Sequence, residues 1–227
     1  MSILVVAAHP DDEVLGCGGT IARWALEGHT VRIGILAEGA TSRDPERRQG
    51  DRKGELSALG KAAQEAGNIL GAASVELLGL PDNRMDSLDR LEIVKSVEAW
   101  VERYQPSVVL THYGGDVNID HRRVHEAVIT ACRPQPDHPV SRFQFFEVPS
   151  STEWQPRGSG PAFEPDVFVD ITETLEKKIE ALRAYESEMR LWPHSRSLEG
   201  VRHLAHWRGA TVGKGAAESF MLGRELL

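Results

Sequence analysis

Two short stretches concentrate the residues able to bind a cation and move a proton. AHPDDE, positions 8–13, sets His9, Asp11, Asp12 and Glu13 directly after the apolar run Ile3–Ala8. THYGGDVNIDHRRVH, positions 111–125, follows the apolar run Ser107–Thr111 and carries His112, Asp116, Asp120, His121 and His125. Together they hold four of the nine histidines and five acids. Acids crowded without a counter-charge repel one another and tend to take up protons. A divalent cation removes the conflict, and mixed imidazole and carboxylate ligands suit zinc, which keeps an open water position in catalytic sites. An acid beside the ion can then deprotonate water. Each stretch alone has a plainer reading. Acids favour helix N-termini, and His121 and His125, one turn apart, can simply face solvent or pack with Glu126. Their joint occurrence after two strands argues for chemistry.

Elements that place both stretches on one rim follow from the hydrophobic pattern. Strand-like runs Ile3–Ala8, Val31–Ala37, Val75–Leu80, Ser107–Thr111 and Arg142–Val148 alternate with amphipathic segments. Those segments are a helix near Gly18–Glu27, one marked by Leu56, Leu59, Ala63, Ala66 and Leu70, one by Leu88, Leu91, Val94, Val97 and Val101, and His121–Cys132. This alternation predicts an α/β fold, a largely parallel sheet with helices on both faces, in a single domain over 1–227. ILVVAA and SVVLT are nearly continuous in apolar residues, as strands buried on both faces require. Ligands of such sheets bind beyond the carboxyl ends of the strands where strand order reverses. If the first and fourth strands are neighbours, the two stretches meet there. Pro149–Asp166 reads as a long surface loop, and Asp166–Ile171 as a last short strand. Asp170 reads as the N-cap of a helix with Leu175, Ile179, Leu182, Tyr185 and Met189 inward. The final segment reads as a helix, a glycine-bearing loop and a closing strand.

Composition narrows the partners. The formal charge of the 227-residue chain is −8, with acids and bases intermixed, so no nucleic-acid partner and no anionic membrane surface is expected. No apolar run is long enough for membrane insertion. Cys17 and Cys132 form no disulfide framework or CxxC pair, which points to the reducing cytoplasm. A small-molecule substrate, with or without homo-oligomerisation, fits this chain. GCGG fails the dinucleotide frame, because Ile21 stands at the third glycine. HRRVH has zincin spacing but Arg122 at the glutamate position, and no G-x-S-x-G elbow occurs. The remaining histidines, His29, His138, His194, His203 and His206, read as surface or packing residues.

AHPDDE followed by D-x-N-x-D-H at 116–121 resembles the LmbE/PIG-L family of metal-dependent de-N-acetylases. RKGEL, LGLPD and RGATVGKGAAESF extend the resemblance along the chain. The resemblance implies a Rossmann-like fold and hydrolysis of the acetamide of an N-acetylglucosamine-type amino sugar or its conjugate. It implies zinc, or another divalent ion, held by His9, Asp12 and His121, with Asp11 as general base. It further implies that Arg52 and Asp82 contact the sugar. Many relatives have H-P-D-H where this chain has NIDH, so Asn118 replaces a histidine that assists the oxyanion or leaving amine. That role passes to His112 or His125, or Asn118 serves by hydrogen bonding alone. A non-catalytic carbohydrate- or metal-binding module on the same fold, and an amidase for a different amide, are the competing readings. Asp11 speaks against the module, since metal binding alone needs no second acid.

Overall fold

A computed structural model describes residues 1–227. The apolar runs become strands β1 (Ser2–Ala7), β2 (Thr30–Ala37), β3 (Ser74–Leu80), β4 (Val108–His112), β5 (Arg142–Phe146), β6 (Val167–Asp170) and β7 (Ala217–Glu225). They pair into one seven-stranded sheet in the order β3-β2-β1-β4-β5-β7-β6. The first five run parallel, whereas β7 inserts antiparallel between β5 and β6. β4 lies beside β1, with Val5 opposite Leu110 and Val6 opposite Thr111. Strand order reverses between them, so the sequels of β1 and β4 open on a common crevice.

Alternation along β1 divides the interior. Ile3, Val5 and Ala7 face one core, and Leu4, Val6 and Ala8 the other. The first core is closed by α1 (Asp12–Leu26), α2 (Lys53–Leu70), α5 (Leu175–Ala184) and α6 (Leu198–Ala210). The second is closed by α3 (Arg90–Tyr104) and α4 (Ile119–Ala131). No helix is long and apolar enough to cross a membrane.

Three local expectations are corrected. Helix α1 begins at Asp12 rather than near Gly18 and breaks at Cys17, whose φ of −147° and ψ of 22° are not helical. The second half is capped from across the molecule, because the Glu218 carboxylate on β7 accepts Gly19 N at 2.9 Å and Thr20 N at 2.7 Å. Lys178 Nζ neutralises Glu218 at 2.6 Å and also donates to Leu15 O at 2.8 Å. All these groups are buried, so charge and hydrogen bonds are satisfied together. The glycines of GCGG serve packing. A Cβ on Gly16 would enter the Phe146 ring, and one on Gly19 would stand 2.7 Å from Ile171 Cδ1. Second, Asp170 does not cap α5. It accepts Thr172 N at 3.0 Å and Thr172 Oγ1 at 2.6 Å, closing a turn ahead of the helix. Third, α5 ends at Ala184, so Tyr185 and Met189 lie beyond it, although Tyr185 is still fully buried.

Candidate metal centre and active site

β1 ends at Ala7, and the chain turns into α1 through Asp11, which has a φ of 113°. Positive φ is costly for a residue with a Cβ and persists only where the surroundings enforce it. Here the enforcing bonds are explicit. Asp11 O accepts Val14 N and Leu15 N at 3.1 and 2.9 Å, while Asp11 N donates to Glu13 Oε2 at 3.1 Å. The Asp12 carboxylate folds back to accept His9 N at 2.8 Å. The turn therefore sends the adjacent side chains of Asp11 and Asp12 to different tasks. Glu13 is buried beneath them and held by the Tyr185 hydroxyl at 2.6 Å.

Asp12 Oδ2 is the focus of the site. His9 Nδ1 lies 3.1 Å from it and His121 Nε2 3.2 Å. One donor atom from each of His9, Asp12 and His121 falls within a 4.8 Å cluster. Each histidine is oriented by a carboxylate on its far nitrogen. His9 Nε2 faces Asp120 Oδ2 at 3.1 Å, and His121 Nδ1 faces Asp116 Oδ2 at 3.2 Å. Asp116 in turn accepts the Ser151 hydroxyl, Thr152 Oγ1 at 2.6 Å and Asn118 N at 2.8 Å. Such outer carboxylates fix the tautomer of a metal-binding imidazole and raise its basicity. A second convergent set, His9, Asp82 and Asp120, shares His9. Both oxygens of Asp120 are already taken by backbone donors, Asn83 N at 2.6 Å and Met85 N at 2.9 Å. Asp120 is thus a support for His9.

The protonation pattern agrees with this division. Burial pushes the Asp12 carboxyl up, but His121, His9 and His112 outweigh it and hold the group well below the usual carboxylate range. Burial lowers His9 and His121, yet their carboxylate partners prevail, raising His9 well above its ordinary value and His121 to about 9. Burial likewise raises Asp116, and its bond to His121 brings it down to about 2. With both imidazoles protonated, His9 and His121 offset the charges of Asp12 and Asp116. A divalent ion would replace their protons with its own charge, as the donor set of His9, Asp12 and His121 permits. Asp11 behaves differently. Burial raises it to about 7 despite the opposing charge of Arg196, whose Nη1 lies 3.1 Å from Asp11 Oδ2. A carboxyl poised near neutrality suits general-base work.

A cleft of about 160 Å³ opens over these groups. Its lining includes His9, Asp11, Asp12, Asp82, Asn118 and His121, so six of the residues expected from sequence do converge. Three do not. Arg52 is turned outward onto Asp44 and Glu55, at 2.8 and 2.6 Å. His112 is wholly buried behind the centre, stacked on His121 with ring centroids 4.0 Å apart. Its Nε2 accepts Ala8 N at 2.8 Å, and burial lowers its pKa well below the ordinary value. His125 hydrogen-bonds His112 O through Nδ1 at 2.9 Å and packs on Phe145. Asn118 is the N-cap of α4. Its Oδ1 accepts Asp120 N at 2.8 Å and its Nδ2 donates to Asn83 Oδ1 at 2.9 Å. Asp82 accepts Ser42 N at 2.9 Å and reaches within 3.3 Å of His9 Nε2.

Neither motif points to Arg43, Glu188, Arg190 or Arg196. All four line the cleft. They come from the turns after β2 and α5, far along the chain from either motif, and no local spacing marks them. Ser151 and Thr152 were also missed. They belong to the long loop, whose start tucks beneath the centre.

Comparison with known proteins gives three kinds of match. The family model described as GlcNAc-PI de-N-acetylase (PIG-L) matches residues 4–132. The 1D-myo-inositol 2-acetamido-2-deoxy-alpha-D-glucopyranoside deacetylase 1 of Saccharopolyspora erythraea is 30% identical, over 84% of this chain and 78% of that protein. The 4-oxalmesaconate hydratase of Pseudomonas putida is 32% identical, over 85% of this chain and 76% of that protein. Among solved structures, N,N'-diacetylchitobiose deacetylase from Pyrococcus horikoshii superposes with a TM-score of 0.76 at 21% identity, covering 97% of this chain and 82% of that one.

Proposed function

The chain belongs to the GlcNAc-PI de-N-acetylase (PIG-L) family, and we propose that it is a metal-dependent hydrolase removing the acetyl group from an N-acetylglucosamine-type conjugate. The observation that carries this reading is the split between adjacent acids. Asp12 faces the two histidines, while Asp11 stands free of that donor set, in the cleft and poised near neutral pH. A divalent ion held by His9, Asp12 and His121, zinc by the chemistry of the ligands, would polarise the acetyl carbonyl and acidify a water molecule.

Asp11 takes a proton from the attacking water as the new C–O bond forms. Arg196 holds the carboxylate in place and favours its charged form against the effect of burial. The tetrahedral adduct then expels the sugar amine, which needs a proton. Asn118 cannot supply one, and its amide is committed on both sides. His112 and His125 do not line the cleft. Asp11, protonated in the first step, returns that proton to nitrogen and is regenerated. One carboxyl thus serves as base and then acid. Asp82 and Asn83 offer polar contacts for the sugar at the cleft wall.

A second reading is hydration of an unsaturated polycarboxylic acid, favoured by the hydratase relative at 32% identity and by the arginines of the cleft. One experiment separates the two. Purified protein is offered a panel of N-acetylated amino sugars and an unsaturated tricarboxylic acid, with and without chelator. Acetate release that chelator abolishes supports the deacetylase. No acetate, with loss of the alkene absorbance instead, would establish the hydratase.

A further inference from the structure

Asp11 and His121 carry the two halves of the proposed chemistry, and both are held from one turn beneath the cleft. That turn follows β5, and its Ser150, Ser151 and Thr152 are buried without lining the cleft. On the metal side, Thr152 Oγ1 accepts Val148 N at 2.8 Å, which leaves its single proton for Asp116 Oδ2 at 2.6 Å. The Ser151 hydroxyl donates to the other Asp116 oxygen. Asp116 in turn faces His121 Nδ1 at 3.2 Å. On the side of the base, Ser150 Oγ accepts Arg196 Nε at 2.9 Å, and Arg196 Nη1 reaches Asp11 Oδ2 at 3.1 Å. A second tie runs through Trp154, whose ring meets His194 edge-on with centroids 5.5 Å apart, while His194 Nδ1 accepts Arg196 N at 3.0 Å. Ser150 has a φ of 69°, a costly conformation for a residue with a Cβ. The exposed Glu153 carboxylate enforces it, accepting Ser150 N at 2.7 Å and Ser151 N at 3.3 Å. That curl sends the two adjacent serine hydroxyls to different targets, one to Arg196 and one to Asp116.

We propose that Ser150–Glu153 is one positioning unit for both groups. Ser151 and Thr152 fix the metal-binding imidazole through Asp116, Ser150 fixes the general base through Arg196, and Glu153 holds the turn that aims them. This rests on Asp11 as base and His121 as ligand, not on which substrate the cleft takes. Hydroxyls suit the task, because they donate to Asp116 and accept from Arg196 without adding charge where acids already crowd. Since the unit does not line the cleft, it acts on zinc affinity and on kcat rather than on substrate binding. Its leverage is large, because misplacing a reacting group by about 1 Å can cost about 10²-fold in rate.

The test compares variants of the full chain, each checked for its fold by circular dichroism. Zinc affinity is read by chelator competition, and kcat and KM at saturating zinc on whichever substrate the unaltered protein turns over. Thr152→Val should weaken zinc about 10–100-fold, and Thr152→Ser, which keeps the hydroxyl, should restore it. Ser150→Ala should keep zinc affinity and KM but lower kcat about 10–100-fold. It should cost nothing further once Arg196→Gln is present. Glu153→Ala touches neither Asp116 nor Arg196, yet should weaken zinc and lower kcat together. A Glu153→Ala variant that moves only one of these, or neither, would overturn the proposal. So would Thr152→Ser binding zinc as weakly as Thr152→Val, or a Ser150→Ala loss that adds in full to that of Arg196→Gln. A crystal structure of zinc-loaded Ser150→Ala gives a check without activity. Arg196 should have left Asp11, and an unmoved pair would refute the role of Ser150. Failure of the mechanism shows separately, as full turnover in Asp11→Asn, while zinc affinity and the crystal structure still report on the turn.

Discussion

Raising the pH of the metal-free protein is expected to destabilise it, and the buried groups around Asp11 set the size of the effect. Burial raises Glu13 from 4.5 to about 8 and Asp11 from 3.8 to about 7, while the carboxylates around His121 raise it from 6.5 to about 9. Between pH 7 and 8 an unfolded chain has released these protons, whereas the folded chain still retains much of them. The folded state binds more protons, so stability falls as pH rises through the folded pKa values. Each proton held only by the folded chain contributes about 1.4 kcal/mol per pH unit. Even one such group acting alone removes about 1 kcal/mol across that interval, a substantial part of an ordinary domain stability of about 5–15 kcal/mol. His112, whose pKa is lowered, acts in the opposite sense, but mainly below its unfolded value of 6.5. Metal binding requires deprotonated imidazoles, so saturating zinc should flatten or reverse the slope. Urea unfolding from pH 6.5 to 8.5, with chelator and with zinc, measures both slopes. Metal-free stability that is constant or rises between pH 7 and 8 would refute the assigned protonation states.

Three substitutions test the supports. Tyr185→Phe removes the 2.6 Å bond to buried Glu13 and, by leaving that oxygen without a donor, should cost about 1–3 kcal/mol in chemical denaturation. Lys178→Met strands the Glu218 carboxylate at the break in α1 and should cost about 3–5 kcal/mol, with part of the loss recovered when Glu218→Gln is added. Asp116→Asn keeps the shape beside His121 but removes the charge, and should weaken zinc about 10–100-fold in chelator competition with the fold intact by circular dichroism.

How far the sequence foretold this site depends on how local each contact is. Alternating apolar runs predicted the parallel sheet, and adjacency of β1 and β4 followed from the need to bring His9 to His121. Residues carried on the two strand sequels, Asp11, Asp12, Asn118 and His121, therefore appear where expected. The start of α1 was misplaced because its break is stabilised by Glu218, some 200 positions later in the chain, and no helical period reveals a cap supplied from another strand. Arg196 was not legible, since its contact with Asp11 is made by a loop between two helices, some 185 positions from Asp11. His112 and His125 look eligible as proton donors by residue type and nearness in sequence. Burial of one ring, and the backbone bond of the other, take both out of the cleft. Arg52 sits in a motif resembling that of a sugar-binding arginine, yet Asp44 and Glu55 are nearer and hold it on the surface.

In the proposed mechanism Asp11 moves the proton while Asp12 belongs to the metal. Acetate release by Asp11→Asn, from whichever N-acetylated amino sugar the unaltered protein hydrolyses and at matched zinc content, tests it most directly. Asparagine fits the strained turn, where residues of this kind tolerate positive φ best, but has no basic oxygen. Zinc should remain bound, and turnover should fall about 10²–10⁴-fold, the usual contribution of a positioned acid–base group. Turnover near that of the unaltered protein would exclude Asp11 as the base, and loss of the zinc itself would make Asp11 a ligand.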